Sequence, residues 1–111
     1  MKVTDLGCRI MELIVPDRSG KKRDIVLGLH DLADNVNDSA YFGAIVGRVC
    51  NRTKNAQFTP NGVTYKLADN HSPNHLHGGP NGFDKRIYDV TFVEEAFSKN
   101  DIRVLCKSFV N

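Results

Sequence analysis

The sequence predicts an all-β fold, a sandwich or barrel of antiparallel strands. Short β-branched or apolar runs follow one another at close spacing, with turn-forming residues between them. No segment carries the apolar stripe of an amphipathic helix of three turns. The last predicted strand continues to Asn111 without a closing turn, so the sheet is expected to end in an open edge.

The individual elements follow from the order of these runs. A first hairpin is predicted between residues 9–15 and 24–29, joined by the turn-rich residues 16–20. Residues 30–40 are rich in Asp and Asn and lack a consistent apolar stripe, which predicts an irregular connection with one helical turn at most. A last pair of strands is predicted over residues 87–93 and 102–110, around a polar turn at residues 98–101.

The clearest local signal is a hairpin over residues 57–67. Asn61-Gly62 is the dipeptide preferred where both central residues of a two-residue turn need positive φ. Side chains alternate across a strand, so Val63, Tyr65 and Leu67 are expected on one face.

Composition limits the partners that the chain can have. The 111 residues, 41% hydrophobic and 25% charged, are typical of a globular chain of one domain at most. The net charge is +2 and the basic residues are scattered apart from residues 21–23, so nucleic acid is not an expected partner. No apolar stretch is long enough for a signal peptide or a membrane span, which argues against a membrane partner.

Cysteine usage points to a reducing compartment. Cys8, Cys50 and Cys106 lie far apart without CxxC spacing, and their odd number leaves at least one thiol unpaired. We expect all three to be reduced and structural, and the protein to be cytoplasmic.

Two segments are unlike ordinary strand sequence, and the first is residues 41–52. It places Arg48 and Arg52 in an apolar run with small residues. A buried guanidinium needs an acceptor, which can be a carboxylate, a carbonyl or a ligand hydroxyl. A structural ion pair with one of the thirteen acidic residues is the alternative to ligand binding.

The second segment is residues 70–86, here named the polar loop, which contains three histidines, three asparagines and three glycines. Its many donors and acceptors, with Gly78-Gly79 allowing close backbone approach, are typical of a polyol-binding site. Pro73 and the glycines prevent the helix that would align His71 with His75, so metal binding is not predicted. These two histidines are expected to be solvated.

Both segments resemble motifs of the aldose 1-epimerase, or galactose mutarotase, family. Residues 43–52, GAIVGRVCNR, resemble the family's G-A-x-x-G-R-x-A-N-R segment, with Cys50 in place of alanine. Residues 74–79, NHLHGG, resemble its N-x-L-H-G-G motif, and residues 82–86 its G-F-D-K-x continuation. The hairpin between the motifs and residues 15–20 and 24–28 also fit, so the resemblance covers nearly the whole chain in the family's order.

The resemblance implies a large antiparallel β-sandwich whose concave face binds a free hexose, such as galactose or glucose, without cofactor or metal. The family interconverts α and β anomers by general acid-base ring opening. Its catalytic histidine and glutamate lie downstream of the matched segment. Residues 1–111 are therefore expected to be the N-terminal part of a single domain, shortened at the C-terminal end and also at the N-terminal end, and inactive alone.

Carried over by position, the family's sugar-binding residues are Asn51, Arg52 and His77. Asn51 and Arg52 would hold sugar hydroxyls and the ring-oxygen region, and His77 would contact the sugar near the reacting centre. Beyond an auxiliary acid-base role for His77, the resemblance implies no catalytic residue here. Arg48, Asn74 and Asp84 are expected to be structural. Glu94 and Glu95 match nothing catalytic in the family.

Three functions remain open at this point. The first is an aldose 1-epimerase, an isomerase of hexose metabolism represented by its N-terminal piece. The second is a non-catalytic carbohydrate-binding or regulatory remnant of the family. The third is a relative that acts on hexose phosphates, although the sequence offers no clear set of basic residues for the phosphate.

Overall fold

The computed structural model describes residues 1–29, 31–93 and 103–108. Within them, ten short strands form five antiparallel pairs, and a single α-helix is present. The strands are Lys2–Val3 (β1), Ile10–Glu12 (β2), Ile14–Pro16 (β3), Lys22–Asp24 (β4), Arg52–Thr53 (β5), Gln57–Phe58 (β6), Tyr65–Lys66 (β7), His75–Leu76 (β8), Asp89–Val93 (β9) and Arg103–Lys107 (β10). The pairs are β1–β2, β3–β4, β5–β8, β6–β7 and β9–β10. The all-β prediction is confirmed.

The first predicted hairpin is present with different strand limits. Residues 9–15 divide into β2, which pairs with β1, and β3, which pairs with β4 so that Val15 faces Arg23. The second strand ends at Asp24, and the predicted strand over residues 24–29 is therefore wrong. The Asp24 carboxylate accepts hydrogen bonds from the backbone N–H groups of Leu13 and Val26. One further backbone hydrogen bond, from the N–H of Ile25 to the carbonyl of Leu13 at 3.1 Å, follows β4, while the Asp24 side chain takes the N–H groups of Leu13 and Val26.

The connection that follows contains one short helix, Leu32–Val36 (α1), as the sequence predicts. Its N-cap is Asp31, whose carboxylate accepts a hydrogen bond of 3.0 Å from the backbone N–H of Ala33. His30 lies outside the described residues. No helix within the described part of the chain is long and apolar enough to cross a membrane.

The hairpin of β6 and β7 closes through the predicted two-residue turn. Asn61 and Gly62 have φ values of 50° and 80°. The backbone N–H of Val63 donates to the carbonyl of Pro60 at 3.0 Å, which closes the turn. Because both central residues need positive φ, the turn is specified by the local sequence.

The last pair, β9 with β10, is confirmed within its described limits. Val93 faces Arg103 and Asp89 faces Lys107 in a regular antiparallel register. The predicted turn at residues 98–101 and the predicted end of the strand beyond residue 108 lie outside the described residues.

The described residues bury few apolar side chains. The buried hydrophobic residues are Cys8, Ala56, Leu76 and Tyr88, whereas the buried polar residues are Arg9, Asn35, Asp38, His75 and Asp84. Many large apolar side chains are exposed, including Leu27 at 76% and Ile87 at 64% of their surface. Among the described residues, charged and polar side chains are therefore as prominent as apolar ones at buried positions.

The prediction of three reduced cysteines is wrong for one pair, because Cys8 and Cys106 form a disulfide with Cα atoms 6.3 Å apart. Cys50 is free and exposed. Cys8 and Cys106 are 98 residues apart in sequence, so spacing alone gave no sign of the pair. A bridge between Leu6 and Ile87 places the chain start beside the start of β9, and β10 then returns along β9 towards Cys8.

Candidate functional site

The two motif segments meet where β5 pairs with β8. In this antiparallel pair Arg52 faces Leu76 and Thr53 faces His75. The pairing continues beyond the strands, since the backbone N–H of His77 donates to the carbonyl of Asn51 at 3.1 Å. The intervening hairpin therefore returns the chain so that residues 51–53 and 75–77 lie side by side.

The ring of His77 is fixed by a second hydrogen bond to the same residue. The backbone N–H of Asn51 donates to His77 Nδ1 at 3.0 Å. An Nδ1 that accepts cannot carry a proton, so this bond selects the neutral tautomer with its N–H on Nε2. Asn51 and His77 have φ values of 59° and 52°, so both residues adopt the left-handed conformation at this junction. The ring is thereby oriented with Nε2 as its hydrogen-bond donor.

Arg52 has partners on both sides of its guanidinium. Its Nη2 lies 2.8 Å from His71 Nε2, and its Nη1 donates to Asn51 Oδ1 at 3.3 Å. Because a guanidinium can only donate, His71 accepts through Nε2 and is neutral in this contact. His71 is exposed, yet the expectation that it is merely solvated is incomplete, since it orients Arg52.

These side chains line one cleft of about 450 Å³, formed by Ser39, Ala40, Tyr41, Arg52, Asn70, His71, Leu76 and His77. Of the three predicted site residues, Arg52 and His77 face the cleft. Asn51 borders it and holds the other two, through its backbone N–H to His77 and its carboxamide oxygen to Arg52. The structure thus brings the three residues together.

Tyr41 and Asn70 were not predicted as site residues. The Tyr41 ring contacts the His77 ring edge-on, with centroids 4.7 Å apart. Burial raises the pKa of the Tyr41 phenol, and the negative charge of Asp84 acts in the same direction. The phenol therefore keeps its proton near neutral pH and can donate. Asn70 could have been proposed from the polar loop, but nothing in the residues around Tyr41 signals its contact with His77.

Asn70 shapes the floor of the cleft. Its carboxamide accepts from the backbone N–H of Leu76 at 2.8 Å and donates to the carbonyl of Leu76 at 2.9 Å. This pair of bonds imitates the backbone pairing of a neighbouring strand. The backbone N–H and carbonyl of Leu76, at the edge of β8 beside the cleft, consequently both have hydrogen-bond partners.

Two further residues of the polar loop, His75 and Asn74, make contacts within the chain. His75 is 5% exposed, so the expectation that it is solvated is wrong: its Nδ1 lies 2.8 Å from the carbonyl oxygen of Ala68. Asn74 Oδ1 accepts from the backbone N–H of Asn55 at 3.1 Å. Asn74 is therefore structural, as expected.

Arg48 lies away from the cleft. It precedes β5, which begins at Arg52. Arg48 is exposed, and its guanidinium carbon lies 5.6 Å from the centre of the Phe83 ring. It thus contacts an aromatic face rather than a predicted carboxylate.

Two glycines of the polar loop allow close contacts within the chain. Gly78 and Gly79 have φ values of 93° and 83°. A Cβ at Gly78 would overlap the carbonyl oxygen of Gly47, and one at Gly79 would lie 3.0 Å from the His75 ring. The sequence predicted that these glycines let the backbone approach a ligand closely. In the structure, Gly78 instead lets the two motif segments approach each other closely.

Metal chemistry receives no support from the described residues. Among residues 1–29, 31–93 and 103–108, no group of three or more His, Cys, Asp or Glu side chains is placed to hold a metal ion. Glu94 and Glu95 lie outside these ranges.

Comparison with known proteins identifies the family. The sequence model of the aldose 1-epimerase family matches residues 1–109. The chain belongs to the aldose 1-epimerase family. The matched range includes both motif segments, residues 43–52 and 74–79.

Relatives and solved structures agree with this assignment. The chain is 50% identical over 82 residues to galactose mutarotase from Sus scrofa, covering 74% of this chain and 24% of that protein. It is 34% identical over 101 residues to aldose 1-epimerase from Escherichia coli, covering 91% of this chain and 28% of the relative. An aldose epimerase homologue from C. elegans superposes with a TM-score of 0.72 at 38% identity, over 85% of this chain and 28% of that one. The chain therefore spans about a quarter of the length of these aldose 1-epimerase relatives.

Proposed function

We propose that this chain supplies part of the hexose-binding site of an aldose 1-epimerase that interconverts the α and β anomers of free galactose and glucose. The observation that carries the proposal is the convergence of Arg52 and His77 on one cleft through the Asn51 backbone. Galactose mutarotase is the name of relatives of this chain. The substrate is assigned here by that similarity together with the cleft.

The chemistry of the cleft suits sugar hydroxyls. Arg52 presents a permanent positive charge with several N–H donors, and neutral His77 presents its Nε2–H. The Tyr41 phenol adds a group that both donates and accepts. Such mixed donors and acceptors bind the hydroxyls of a polyol directionally, whereas a phosphate would require a denser positive charge.

Mutarotation needs a base and an acid on opposite sides of the sugar. The base removes the proton of the anomeric hydroxyl while the acid protonates the ring oxygen, and the bond from the anomeric carbon to the ring oxygen breaks. The resulting aldehyde turns and the ring closes on its other face, returning both protons. We assign His77 an auxiliary role in proton transfer near this centre. Arg52 cannot act as the base because its guanidinium stays protonated.

Polarimetry separates binding from catalysis. The 111-residue chain is expected to leave the mutarotation of freshly dissolved α-glucose or α-galactose at the rate in buffer, since one auxiliary group cannot replace a base and an acid. A His77→Ala variant is the control. Acceleration by the chain that disappears in this variant would show that His77 contributes more than an auxiliary role.

Sugar binding is tested by titrating the isotope-labelled chain with galactose and glucose and following amide chemical shifts. Arg52→Ala and His77→Ala should each weaken binding about tenfold, the expected loss of a charge-assisted or oriented hydrogen bond. Arg18→Ala removes an exposed arginine from the turn between β3 and β4 and should leave the affinity unchanged. No saturable binding by the unmodified chain, or equal losses in all three variants, would contradict the proposal.

We also propose the cytosol as the location of the protein. Cys50 is a free and exposed thiol, and a free thiol persists best in a reducing compartment. Fractionating cells and counting the free thiols of the recovered protein tests the location and the state of Cys50. Recovery of the protein from the cytosolic fraction with a free Cys50 thiol would support the location, whereas recovery only from secretory fractions would contradict it.

A further inference from the structure

A buried ion pair lies in the described structure outside the cleft. Arg9 Nη1 donates to Asp38 Oδ2 at 2.7 Å, and the two side chains are 0% and 4% exposed. The Nε and Nη2 of Arg9 have no hydrogen-bond partner among the described residues. Arg9 therefore depends on Asp38 and on the carbonyl of Phe42, to which Nη1 donates at 3.2 Å. Burying a guanidinium costs free energy that only an ion pair and hydrogen bonds can offset, and two of its three nitrogens lack such partners in the described part of the chain.

The Asp38 carboxylate also holds the backbone on both sides of Tyr41. Its Oδ1 accepts from the N–H of Ala40 at 2.7 Å, and its Oδ2 accepts from the N–H of Phe42 at 3.2 Å. Arg9 in turn binds the carbonyl of Phe42. The pair thus brackets Tyr41 within one turn, here named the Tyr41 turn, residues 38–42.

Tyr41 needs such a support because its backbone is in an uncommon conformation. Its φ is 60°, in the left-handed region that a tyrosine seldom adopts without help. This backbone directs the ring to the edge of the His77 ring, 4.7 Å away between centroids. The Tyr41 turn is further tied down by Lys85, whose Nζ donates to the carbonyl of Asp38 at 3.0 Å. The contacts therefore run from Arg9, through the turn, to a wall of the cleft.

We propose that Arg9 and Asp38 are positioning residues that set Tyr41 against His77 and so shape the sugar cleft. The effect on sugar affinity rests on the proposed function, whereas the effect on the two rings does not. Asp38 acts through backbone N–H groups, Arg9 acts through Asp38 and the carbonyl of Phe42, and neither lines the cleft. Removing only one of the two residues would leave the other as an unpaired buried charge, which destabilises the fold by itself. Replacing both residues together avoids this cost.

The experiment compares the unmodified 111-residue chain with three variants. Asp38→Asn keeps the shape of the side chain but removes its charge. The double variant Arg9→Leu with Asp38→Leu removes both charges, so that no buried charge remains unpaired. Glu12→Gln removes the carboxylate of the exposed Lys2–Glu12 pair, at 3.2 Å, and is the matched control. For each variant, circular dichroism reports folding, and NMR reports the Tyr41–His77 ring contact and the nitrogen shifts of the His77 ring. Titration then gives the galactose affinity.

The proposal predicts that the double variant folds, loses the ring contact between Tyr41 and His77, and binds galactose about fivefold more weakly. Asp38→Asn should lose the contact as well if it folds, and Glu12→Gln should keep both contact and affinity. A folded double variant with the ring contact and affinity intact would overturn the proposal. Loss of folding in both variants would also overturn it, because the pair would then support the whole chain rather than the Tyr41 turn. If the unmodified chain itself fails to bind galactose, the proposed function fails while the ring contact still tests positioning.

Discussion

The β6–β7 hairpin and the polar loop differ in what holds them together. The hairpin closes through Asn61 and Gly62, and a Cβ at Gly62 would meet no atom within 4 Å. In the polar loop, Gly78 has a similarly positive φ, but a Cβ there would overlap the carbonyl of Gly47. The same residue type thus serves a local turn in one region and a long-range backbone contact in the other. Substitutions should therefore cost more in the polar loop than in the hairpin.

The largest expected effect comes from Gly78→Ala. The new Cβ would strain a backbone at φ 93° and displace the carbonyl of Gly47. We expect a loss of roughly 3 kcal/mol or more in the free energy of unfolding, measured by urea denaturation. Gly20→Ala is the matched control, since its φ is 82° and a Cβ added there would meet no atom within 4 Å. It should cost about 1–2 kcal/mol, the backbone penalty alone. Equal losses in the two variants would remove the distinction between the regions.

Acid should affect the Tyr41 turn before the hairpin. Burial acts to raise the pKa of the Asp38 carboxyl. The hydrogen bonds from Arg9 and from the backbone N–H groups of Ala40 and Phe42, together with the charge of Arg9, outweigh it, so the pKa lies below its usual value of 3.8. A lowered folded-state pKa stabilises the fold above about pH 3.8 and loses that contribution as the pH falls through the lower value.

The amide shifts of Ala40 and Val63 measure this difference. The Ala40 amide, which donates to Asp38, should change with acid, whereas the Val63 amide in the hairpin turn should change less. In Asp38→Asn the acid-dependent step of Ala40 should disappear. A step of unchanged size in this variant would assign the titration to another group.

A smaller effect is expected at the hairpin turn itself. Gly62→Val would force a β-branched residue to positive φ and should cost on the order of 1 kcal/mol or more in unfolding free energy. Asn61→Gly keeps the positive φ accessible and should leave the melting temperature nearly unchanged. An unaltered melting temperature for Gly62→Val would argue that the two-residue turn does not limit the stability of the hairpin.

The smallest effect concerns the ring pair on the hairpin. Phe58 and Tyr65 face each other across the strands with centroids 5.4 Å apart, and both are substantially exposed. Tyr65→Leu should cost about 0.5 kcal/mol, the usual size of a cross-strand pair. Val63→Ala, at a position 54% exposed in the same hairpin, should cost less. If Val63→Ala costs as much, ring stacking is not what stabilises this pair.

Local sequence patterns predicted turns, helix and strands better than they predicted contacts between residues that are distant in the sequence. The Asn61-Gly62 turn, the short helix after residue 30 and the β9–β10 pair follow from turn residues and alternation, which act within a few positions. The strand over residues 24–29 was mispredicted because the side chain of Asp24 captures two backbone N–H groups, and apolar alternation carries no sign of that. The Cys8–Cys106 pair was missed for a different reason: the two residues are 98 positions apart, and only the pairing of β9 with β10 brings them together.

The sequence by itself determined the family, the turn at residues 61–62 and the site candidates Asn51, Arg52 and His77, because these depend on ordered motifs and local backbone preferences. The tertiary structure alone decided which tautomer His77 adopts, since that depends on the Asn51 N–H 26 positions earlier in the chain. It also decided that Tyr41 joins the cleft, because the buried Arg9–Asp38 pair and the left-handed backbone of Tyr41 act together in space. Hydrogen-bond direction and burial are set by atoms that meet only after folding, so neither can be read from residue order alone.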